Sequence, residues 1–487
     1  MRKSEYLKLI RIVYEKTIKK YHTSVDKIKF ESIYSSVAKS LIETQNENYQ
    51  SSFEVLIKNY LDSVKAISKL SPGLATGLYD SKENIYLNTY NGKMSDIPND
   101  RKITENTVFD SSSITKMFTA ILLLKESEKG NIDLMKTFSY YNPLLKKIDI
   151  SIYDALRFGV KMMTDGRVDE INISNEERIR RLLSTKIQEK DTFIYSDIPY
   201  MLVPLLFGKT IEEGTEKYLK KFYKIFKDEL QLSHTGYSTI DMTGGPIEKD
   251  LMKDKLYHQI GIYDPKANIF ETKLGIVSGH AGVTTNVTDL QKLFNYLTNG
   301  LLSSNSLNML TKNIKSKQGK TVNHGMGIYI NTGSLRTSDV PEICSENAFS
   351  AVGSTGTYSA FDIENGFNCT YLSNVRSGLY SKWINTENYE YGDEEDIMPK
   401  HYQTTLISGT GTIKDGRLKR PSGSFMTYVR ATNNFKEESI ETLLKLRIAK
   451  LSLIEKAKIE YEHERLKSHL NYIEDIFNNN HNKVKRL

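Results

Sequence analysis

The sequence predicts an α+β fold, in which one antiparallel sheet is flanked by N- and C-terminal helices and carries an inserted all-helical lobe. Three observations predict this arrangement. Apolar residues recur at helical spacing at both ends of the chain, short strand patterns lie just inside these ends, and residues from about 131 to 320 show mostly helical patterns and polar turns. We expect the strands from both ends to join in one sheet, with a cleft between the sheet and the lobe.

The N-terminal region is predicted to be helical up to about residue 70. Apolar residues from Phe53 to Ile67 repeat at the spacing of one helix face, and the sequence SPG at 71–73 breaks the pattern. We assign residues 1–52 to a helical N-terminal extension and residues 53–455 to the main domain.

The predicted strands are short and are separated by turns. GLATGLYD and NIYLNTYNG form the first pair, at 73–80 and 84–92. Strand patterns return near the end of the main domain as GMGIYI (325–330), TGTYSAFDI (355–363) and FNCTYLSNV (367–375). An Asn-Gly turn of the hairpin type separates the last two.

The C-terminal part of the chain has a long amphipathic helical pattern. We expect residues 436–455 to pack across the sheet, and residues 456–487 to form a helical, basic tail that ends in KVKRL. Either the whole long helix packs across the sheet, or its distal half projects and meets a partner helix, so self-association through the C-terminal helix remains open.

Composition restricts the class of protein. Of 487 residues, 39% are hydrophobic and 26% charged, which is ordinary for a globular protein and excludes general disorder. The formal net charge of +7 favours a mixed solvated surface, so we expect no nucleic-acid partner. We expect no membrane span, because no apolar run of 18 residues occurs, and no signal peptide. The two cysteines do not form a disulfide framework, and a cytoplasmic location is the default expectation.

The motif that carries chemistry is Ser113-x-x-Lys116, at the start of an apolar helical pattern. A serine hydroxyl is a poor nucleophile and needs an adjacent base. Residues three apart lie on one helix face, so the two side chains can touch. An ammonium in a poorly solvated cleft gives up its proton more readily, and the helix N-terminus stabilises negative charge nearby. A lone motif of this kind is commonly a helix cap followed by a solvated lysine, but the buried helix after Ser113 favours catalysis.

We expect neither a metal nor an organic cofactor. The nine histidines include no His-x-x-x-His pair. GTGTIKDG at 409–416 lacks the Gly-Lys-Ser/Thr ending of a phosphate loop and favours a turn between strands. His280, in the sequence GHAG, is interpreted as a loop histidine that hydrogen-bonds the backbone rather than as an acid or base.

Several segments occur in an order that resembles a known superfamily. FDSSSITKMFTA at 109–120 is followed by FIYSDIPYMLVPLL at 193–206 and AVGSTGTYSAFD at 351–362. These are similar to the nucleophile, Tyr-x-Asn and Lys-Thr-Gly (or His-x-Gly) motifs of the class C β-lactamase, low-molecular-weight penicillin-binding protein and serine esterase superfamily. GIYDPKA at 261–267 and GHAGVTTNVTDLQKLFNYL at 279–297 resemble its hydrolase and esterase branch. The resemblance covers about 53–455 and implies a β-lactamase/transpeptidase-like fold.

The resemblance implies the catalytic residues. Ser113 would attack a carbonyl carbon, while Lys116 and Tyr195 share the acid and base work, with the division between them left open. Asp197, which occupies the asparagine position, would hydrogen-bond Lys116, or cap the helix that follows, or do both.

The resemblance also implies how substrate is held. The backbone N–H groups of Ser113 and Thr357 would form the oxyanion hole. Three residues would line an edge strand beside the substrate: Ser354, Thr355 and Gly356.

Three departures from the family pattern restrict the substrate. Asp197 replaces an amide, which favours a charged Lys116 and weakens it as a base. Ser354 replaces the cation that binds the carboxylate of penicillins or of a D-alanine terminus, which argues against β-lactamase or DD-carboxypeptidase activity. YDALRFGVKMMTDGRVD at 153–169 lacks the histidine and serine of the family's Leu-Leu-x-His-x-Ser-Gly motif, so we expect a reshaped cleft rim.

The sequence therefore predicts a serine hydrolase that forms an acyl-enzyme on Ser113 with a small ester, amide or peptide substrate. Two alternatives remain. An acyltransferase would use the same intermediate with an amine or alcohol acceptor. A catalytically weak or inactive binding or scaffold protein would keep only the cleft.

Overall fold

The computed structural model describes most of the main domain. The described residues are 49–68, 71, 73–94, 101–168, 170, 173–191, 193–237, 270, 274–312, 322–374, 412–414, 417–419 and 432–459. Most of the predicted N-terminal extension, most of the basic tail and the GIYDPKA segment lie outside these residues.

Helices and strands follow one another along the described part of the chain. The helices are α1 (Tyr49–Ile67), α2 (Thr115–Glu128), α3 (Phe138–Tyr141), α4 (Ile152–Leu156), α5 (Asn175–Leu183), α6 (Ile198–Met201), α7 (Ile211–Tyr223), α8 (Val287–Thr298), α9 (Ser304–Thr311), α10 (Leu335–Ser338) and α11 (Asn433–Ile459). The strands are β1 (Gly73–Asp80), β2 (Ile85–Gly92), β3 (Phe109–Asp110), β4 (Val160–Met163), β5 (Lys186–Lys190), β6 (Gly236–Tyr237), β7 (Val283–Thr285), β8 (Tyr329–Ile330), β9 (Phe349–Gly353), β10 (Thr357–Asp362), β11 (Phe367–Ser373), β12 (Thr412–Lys414) and β13 (Arg417–Lys419).

One antiparallel six-stranded sheet is built from both ends of the main domain, as the sequence predicts. Its order is β2-β1-β11-β10-β9-β8. Strand β1 pairs with β2 on one side and with β11 on the other, so that Leu78 lies opposite both Leu87 and Cys369. The hairpin between β10 and β11 turns at Gly366, whose φ of +77° suits glycine. The predicted α+β fold is confirmed.

Helices cover both faces of this sheet, and its central strands are therefore buried throughout. Every residue of β1, β9, β10 and β11 is buried. On one face, Tyr79 packs edge-on against Phe294 of α8. On the other face, Tyr60 of α1 hydrogen-bonds Thr76, and α11 packs across the sheet. Because α11 includes residues 436–455, it covers the sheet where the sequence predicts.

Gly77 allows α8 to lie close to the sheet. A Cβ atom at this position would come within 2.2 Å of Val287 Cγ1 and 2.7 Å of Gln291 Nε2. Any larger residue would push α8 outward, and α8 shares its hydrophobic core with the helix that carries Lys116.

A buried ion pair attaches the C-terminal helix to the first strand. Arg447 of α11 donates from Nε and Nη2 to the Asp80 carboxylate at 2.6 Å each, and from Nη2 to the Asn365 carbonyl at 2.7 Å. Both charged side chains are fully buried. Removing one member of such a pair costs about 3–5 kcal/mol, because the other charge stays buried without its partner.

The inserted region differs in detail from the predicted all-helical lobe. It contains helices α3 to α9, but β4 pairs with β5, and β6 and β7 join β3 in a small three-stranded sheet. The β4–β5 pair is irregular between Lys161 and Met162, and β5 is largely exposed. These strands are only two to five residues long, too short to show a clear alternation of hydrophobicity, which is why the sequence pattern favours helix and loop.

Candidate active site

The segment before Ser113 has an unusual backbone conformation. Strand β3 leads through a 3₁₀ turn at Ser112–Ile114 directly into α2. Ser112 is buried with a left-handed φ of +46°, and its N–H donates to Asp110 Oδ1 at 2.7 Å. A left-handed non-glycine residue costs roughly 1–3 kcal/mol and persists only where its surroundings impose it, which is typical of functional sites.

The turn between β9 and β10 holds this segment in place. Thr355 Oγ1 donates to the Asp110 carbonyl at 2.7 Å, and Thr357 Oγ1 donates to the Ser111 carbonyl at 3.1 Å. A Cβ atom on Gly353 would lie 2.3 Å from the Ser111 carbonyl oxygen, so only glycine permits this approach. The backbone beside Ser113 is therefore fixed by the sheet.

Lys116 has its three N–H donors opposite three acceptors. The side chain is fully buried, and Nζ lies 2.9 Å from Ser113 Oγ, 2.9 Å from the His280 carbonyl oxygen and 2.8 Å from Asp197 Oδ1. The Asp197 side chain is 15% exposed. An ammonium has three donors and no acceptor, so this environment matches the charged form of Lys116.

Asp197 occupies the N-cap position of α6, as one of the two predicted roles requires. The side chain of Asp197 makes no capping hydrogen bond, while the N–H of Ile198 donates to Ser196 Oγ at 3.3 Å. The position is therefore as predicted, but the carboxylate bonds Lys116 and not the backbone of α6.

The phenol of Tyr195 reaches Ser113 from the inserted region. Its hydroxyl donates to Ser113 Oγ at 2.6 Å, and Lys116 Nζ lies 4.9 Å from its ring centroid. Tyr195 is in a coil segment and 38% exposed. Tyr200, also near Lys116, is buried and donates its hydroxyl to the Leu156 carbonyl at 2.7 Å, and burial raises the pKa of its phenol. Of these two tyrosines, Tyr195 combines an accessible side chain with contact to the serine.

The loop before β7 supplies the backbone acceptor for Lys116. The His280 carbonyl accepts from Lys116, and the adjacent Gly279 carbonyl accepts from Thr119 Oγ1 at 2.8 Å. The His280 ring, which the sequence predicts to bond the backbone, has its Nδ1 2.5 Å from Ser278 Oγ. A backbone carbonyl has no sequence signature, so this part of the site could not be predicted.

Ser354, Thr355 and Gly356 lie in the turn between β9 and β10, not on an edge strand as predicted. Gly356 has a φ of +89°, and its N–H donates to the Gly353 carbonyl at 3.0 Å, which closes the turn. Thr355 is fully buried, so its side chain supports the nucleophile segment and does not line a cleft. Ser354 is half-buried, and its hydroxyl lies 2.9 Å from Ser112 Oγ.

Aromatic rings surround Tyr195, a feature that the motifs do not indicate. The Phe158 ring centroid is 5.0 Å from that of Tyr195 and 5.0 Å from that of His324. The His324 and Tyr195 centroids are 6.0 Å apart. His324 is 7% exposed, and its Nδ1 has no hydrogen-bond partner within the described part of the chain. Burial lowers the pKa of the His324 imidazole to about 4.

His324 makes the stability of the protein depend on pH. Its pKa of about 4 in the folded state lies below the usual 6.5, so the unfolded chain binds a proton first as the pH falls. The free energy of unfolding should therefore drop by about 3 kcal/mol between pH 6.5 and 4 from this group alone. We expect the free energy of unfolding of His324→Phe to lack this pH-dependent part, as measured by urea unfolding at pH 7.5 and 4.5. Equal pH dependence in the two proteins would contradict the expectation.

No metal site is evident among the described residues, which include no group of three or more His, Cys, Asp or Glu side chains suited to hold an ion. Cys344 and Cys369 are buried free thiols. Within the same residues, the helices are all too short or too polar to cross a membrane.

The antiparallel sheet, the inserted helical region and the Ser-x-x-Lys helix between them define a serine hydrolase in the broad sense. The family model described as Beta-lactamase matches residues 56–382, more than half of the chain. The chain therefore belongs to the beta-lactamase family, as the motif resemblance predicts.

The chain is similar to known proteins at low sequence identity. The chain is 25% identical over 301 residues to the teichoic acid D-alanine hydrolase of Staphylococcus aureus, covering 58% of this chain and 70% of the relative. Simvastatin synthase (LovD) from Aspergillus terreus is similar in structure, with a TM-score of 0.49 at 14% identity over 66% of this chain and 92% of that one. The D-amino acid amidase of Ochrobactrum anthropi is also similar in structure, with a TM-score of 0.46 at 18% identity over 66% of this chain and 91% of that one.

Proposed function

We propose that the chain is a serine hydrolase that forms an acyl-enzyme on Ser113 with a small ester, amide or peptide. One observation carries this proposal: Ser113 Oγ lies within hydrogen-bond distance of both Lys116 Nζ, at 2.9 Å, and the Tyr195 hydroxyl, at 2.6 Å. A nucleophile in contact with a potential base, which is itself near a fixed cation, is the arrangement that acyl transfer needs.

In the proposed mechanism Lys116 is a fixed cation and Tyr195 is the base. All three donors of Lys116 already face acceptors, so it is poorly placed to take a proton. The phenolate form of Tyr195 takes the proton of Ser113 as Oγ bonds to the substrate carbonyl carbon. The same phenol then protonates the leaving group as its bond to carbon breaks, and water resolves the acyl-enzyme.

The oxyanion would be stabilised by two backbone N–H groups, those of Ser113 and Thr357. Ser113 lies in the first turn leading into α2, where the helix dipole favours negative charge. Thr357 begins β10 and is fixed beside the nucleophile segment through its bond to Ser111. Donors held by a helix and a sheet need no rearrangement when charge develops.

The substrate would present no carboxylate for recognition. Ser354 stands where the family resemblance places a cation, and its hydroxyl pairs with that of Ser112. The nearby Lys116 charge is already balanced by Asp197. A carboxylate bound at this turn would therefore lose its hydration without gaining an ionic partner. We propose neutral esters, amides or peptides for this reason.

Restoring the cation should restore carboxylate recognition. We expect Ser354→Lys to raise the rate of acylation by a penicillin, or by a substrate with a free carboxylate, about 10- to 100-fold, because a charge-assisted hydrogen bond contributes about 1.5–3 kcal/mol. Acylation by a neutral ester serves as the reference reaction. Ser354→Met, which adds similar bulk without charge, is the matched control, and an equal gain in Met and Lys variants would contradict charge recognition.

Covalent labelling tests the proposed function. The protein is incubated with a fluorophosphonate probe, a panel of activated esters and a fluorescent penicillin, and each adduct is measured by intact mass and located by peptide mapping. We expect a single adduct at Ser113, ester turnover and poor labelling by the penicillin. An amine or alcohol acceptor in the same assay separates hydrolysis from acyl transfer. Absence of any adduct at Ser113 would overturn the proposal in favour of a binding or scaffold protein.

A further inference from the structure

Tyr195 must hold its hydroxyl against Ser113 without the support of a helix or strand. It belongs to a coil segment between β5 and α6, and its side chain is 38% exposed. Asp191 and Phe193, at the start of this segment, have left-handed φ values of +58° and +49°. Such conformations persist only where other contacts impose them. The position of the phenol is therefore set by its neighbours.

Two rings from separate parts of the chain contact the Tyr195 ring. Phe158 comes from the turn before β4 and lies 5.0 Å from Tyr195, measured between ring centroids. His324 comes from the segment before β8 and lies 6.0 Å from Tyr195, in the same measure. The two also contact each other at 5.0 Å, with their planes at 71°. Mutual contacts of this kind restrict all three rings at once.

Both contacting rings are themselves held by backbone that cannot adapt easily. Phe158 is 1% exposed and has a left-handed φ of +61°, which a bulky residue rarely adopts. Its N–H donates to the Ala155 carbonyl at 3.0 Å. His324 bridges to Tyr329, and the N–H of Gly325 donates to the Ile328 carbonyl at 3.0 Å. The strained backbone at Phe158 keeps its ring beside Tyr195.

We propose that Phe158 and His324 form an aromatic clamp that fixes the Tyr195 phenol against Ser113. This inference rests on the proposed function, in which that phenol transfers the proton of Ser113. The clamp residues touch neither the serine nor the reacting bond, so they are positioning residues. A displacement of about 1 Å at a reacting group lowers the rate about 10²-fold, which sets the scale of the expected effect.

The test compares His324→Leu and His324→Phe in steady-state and single-turnover hydrolysis of an activated ester. Leucine fills the space without a ring, whereas phenylalanine keeps the ring and removes both nitrogens. We expect His324→Leu to lower kcat about 10- to 100-fold with KM changed less than about 2-fold, and His324→Phe to restore kcat to within about 3-fold. Phe158→Leu should behave like His324→Leu.

A double-mutant cycle separates positioning from a merely structural effect. In the Tyr195→Phe background there is no phenol to position, so His324→Leu should cause no further loss of kcat. Phe361→Leu, which disrupts a stacked pair with Phe349 inside the sheet, controls for lost packing and should lower the melting temperature without changing kcat. Equal losses in both backgrounds, or a KM effect with unchanged kcat, would overturn the clamp while leaving the proposed function intact. A wild-type protein without turnover at Ser113 would overturn both.

Discussion

Ser113→Ala protein should hydrolyse an activated ester at no more than about 10⁻⁴ of the wild-type kcat and should form no covalent adduct. The loss is large because the substitution removes the only atom of the proposed mechanism that bonds to substrate. The fold should persist. Lys116 keeps its bonds to the His280 carbonyl and Asp197, so the free energy of unfolding should fall by only about 1 kcal/mol.

The measurement combines burst kinetics, intact mass after fluorophosphonate treatment, and urea unfolding. Ser63→Ala is the matched control. Ser63 lies on α1 and donates to Glu438 of α11, and both helices cover the face of the sheet opposite α8. It should keep full activity. Residual turnover above about 1% of wild type in Ser113→Ala, after correction for contaminating hydrolases, would rule out Ser113 as the nucleophile.

Tyr195→Phe should lower kcat about 10²- to 10⁴-fold, the range expected when a positioned general base is removed. The ring remains, so its contacts with Phe158 and His324 persist and only proton transfer is lost. Because the hydroxyl lies on an exposed side chain, the melting temperature should change little. If Lys116 were the base instead, Tyr195→Phe would cost less than about 10-fold, and the two mechanisms are therefore distinguished by magnitude.

The pH dependence of kcat provides the second readout for Tyr195. Removal of a general base changes how kcat depends on pH, so the pH profile of the Tyr195→Phe protein should differ from that of the wild type. Tyr79→Phe is the control, because it removes a different tyrosine hydroxyl, one that donates to Asn295 Oδ1 at 3.1 Å. An unchanged pH profile in Tyr195→Phe would assign the proton transfer to another group.

The sequence predicts some parts of this molecule well, for identifiable reasons. The contact between Ser113 and Lys116 follows from their spacing of three residues on one helix face. The pairing of β1 with β11 follows from strand patterns near both ends of the main domain, although the register between residues such as Leu74 and Ser373 needs three-dimensional information. Local periodicity is thus sufficient to predict helices and strands, but it does not predict the register in which the strands pair.

Other parts of the candidate site have no sequence signal. The His280 acceptor is a backbone carbonyl, which every residue possesses. Phe158 takes a left-handed conformation that its residue type disfavours, so a pattern-based prediction places its ring elsewhere. The family resemblance places Ser354 on a strand, but the φ of Gly356 turns the chain there. At Phe158, tertiary contacts override the local preference.

The ion pair between Asp80 and Arg447 imposes an order on biosynthesis. The two residues are 367 positions apart, so at roughly 5–20 residues per second Asp80 leaves the ribosome about 20 to 70 s before its counter-charge is made. For most of that interval, until residues 367–373 are made, strand β1 lacks its neighbour β11, and throughout it β1 lacks the covering helix α11. The sheet that anchors the serine pocket therefore receives its covering helix only after its last strand, β11, has been made.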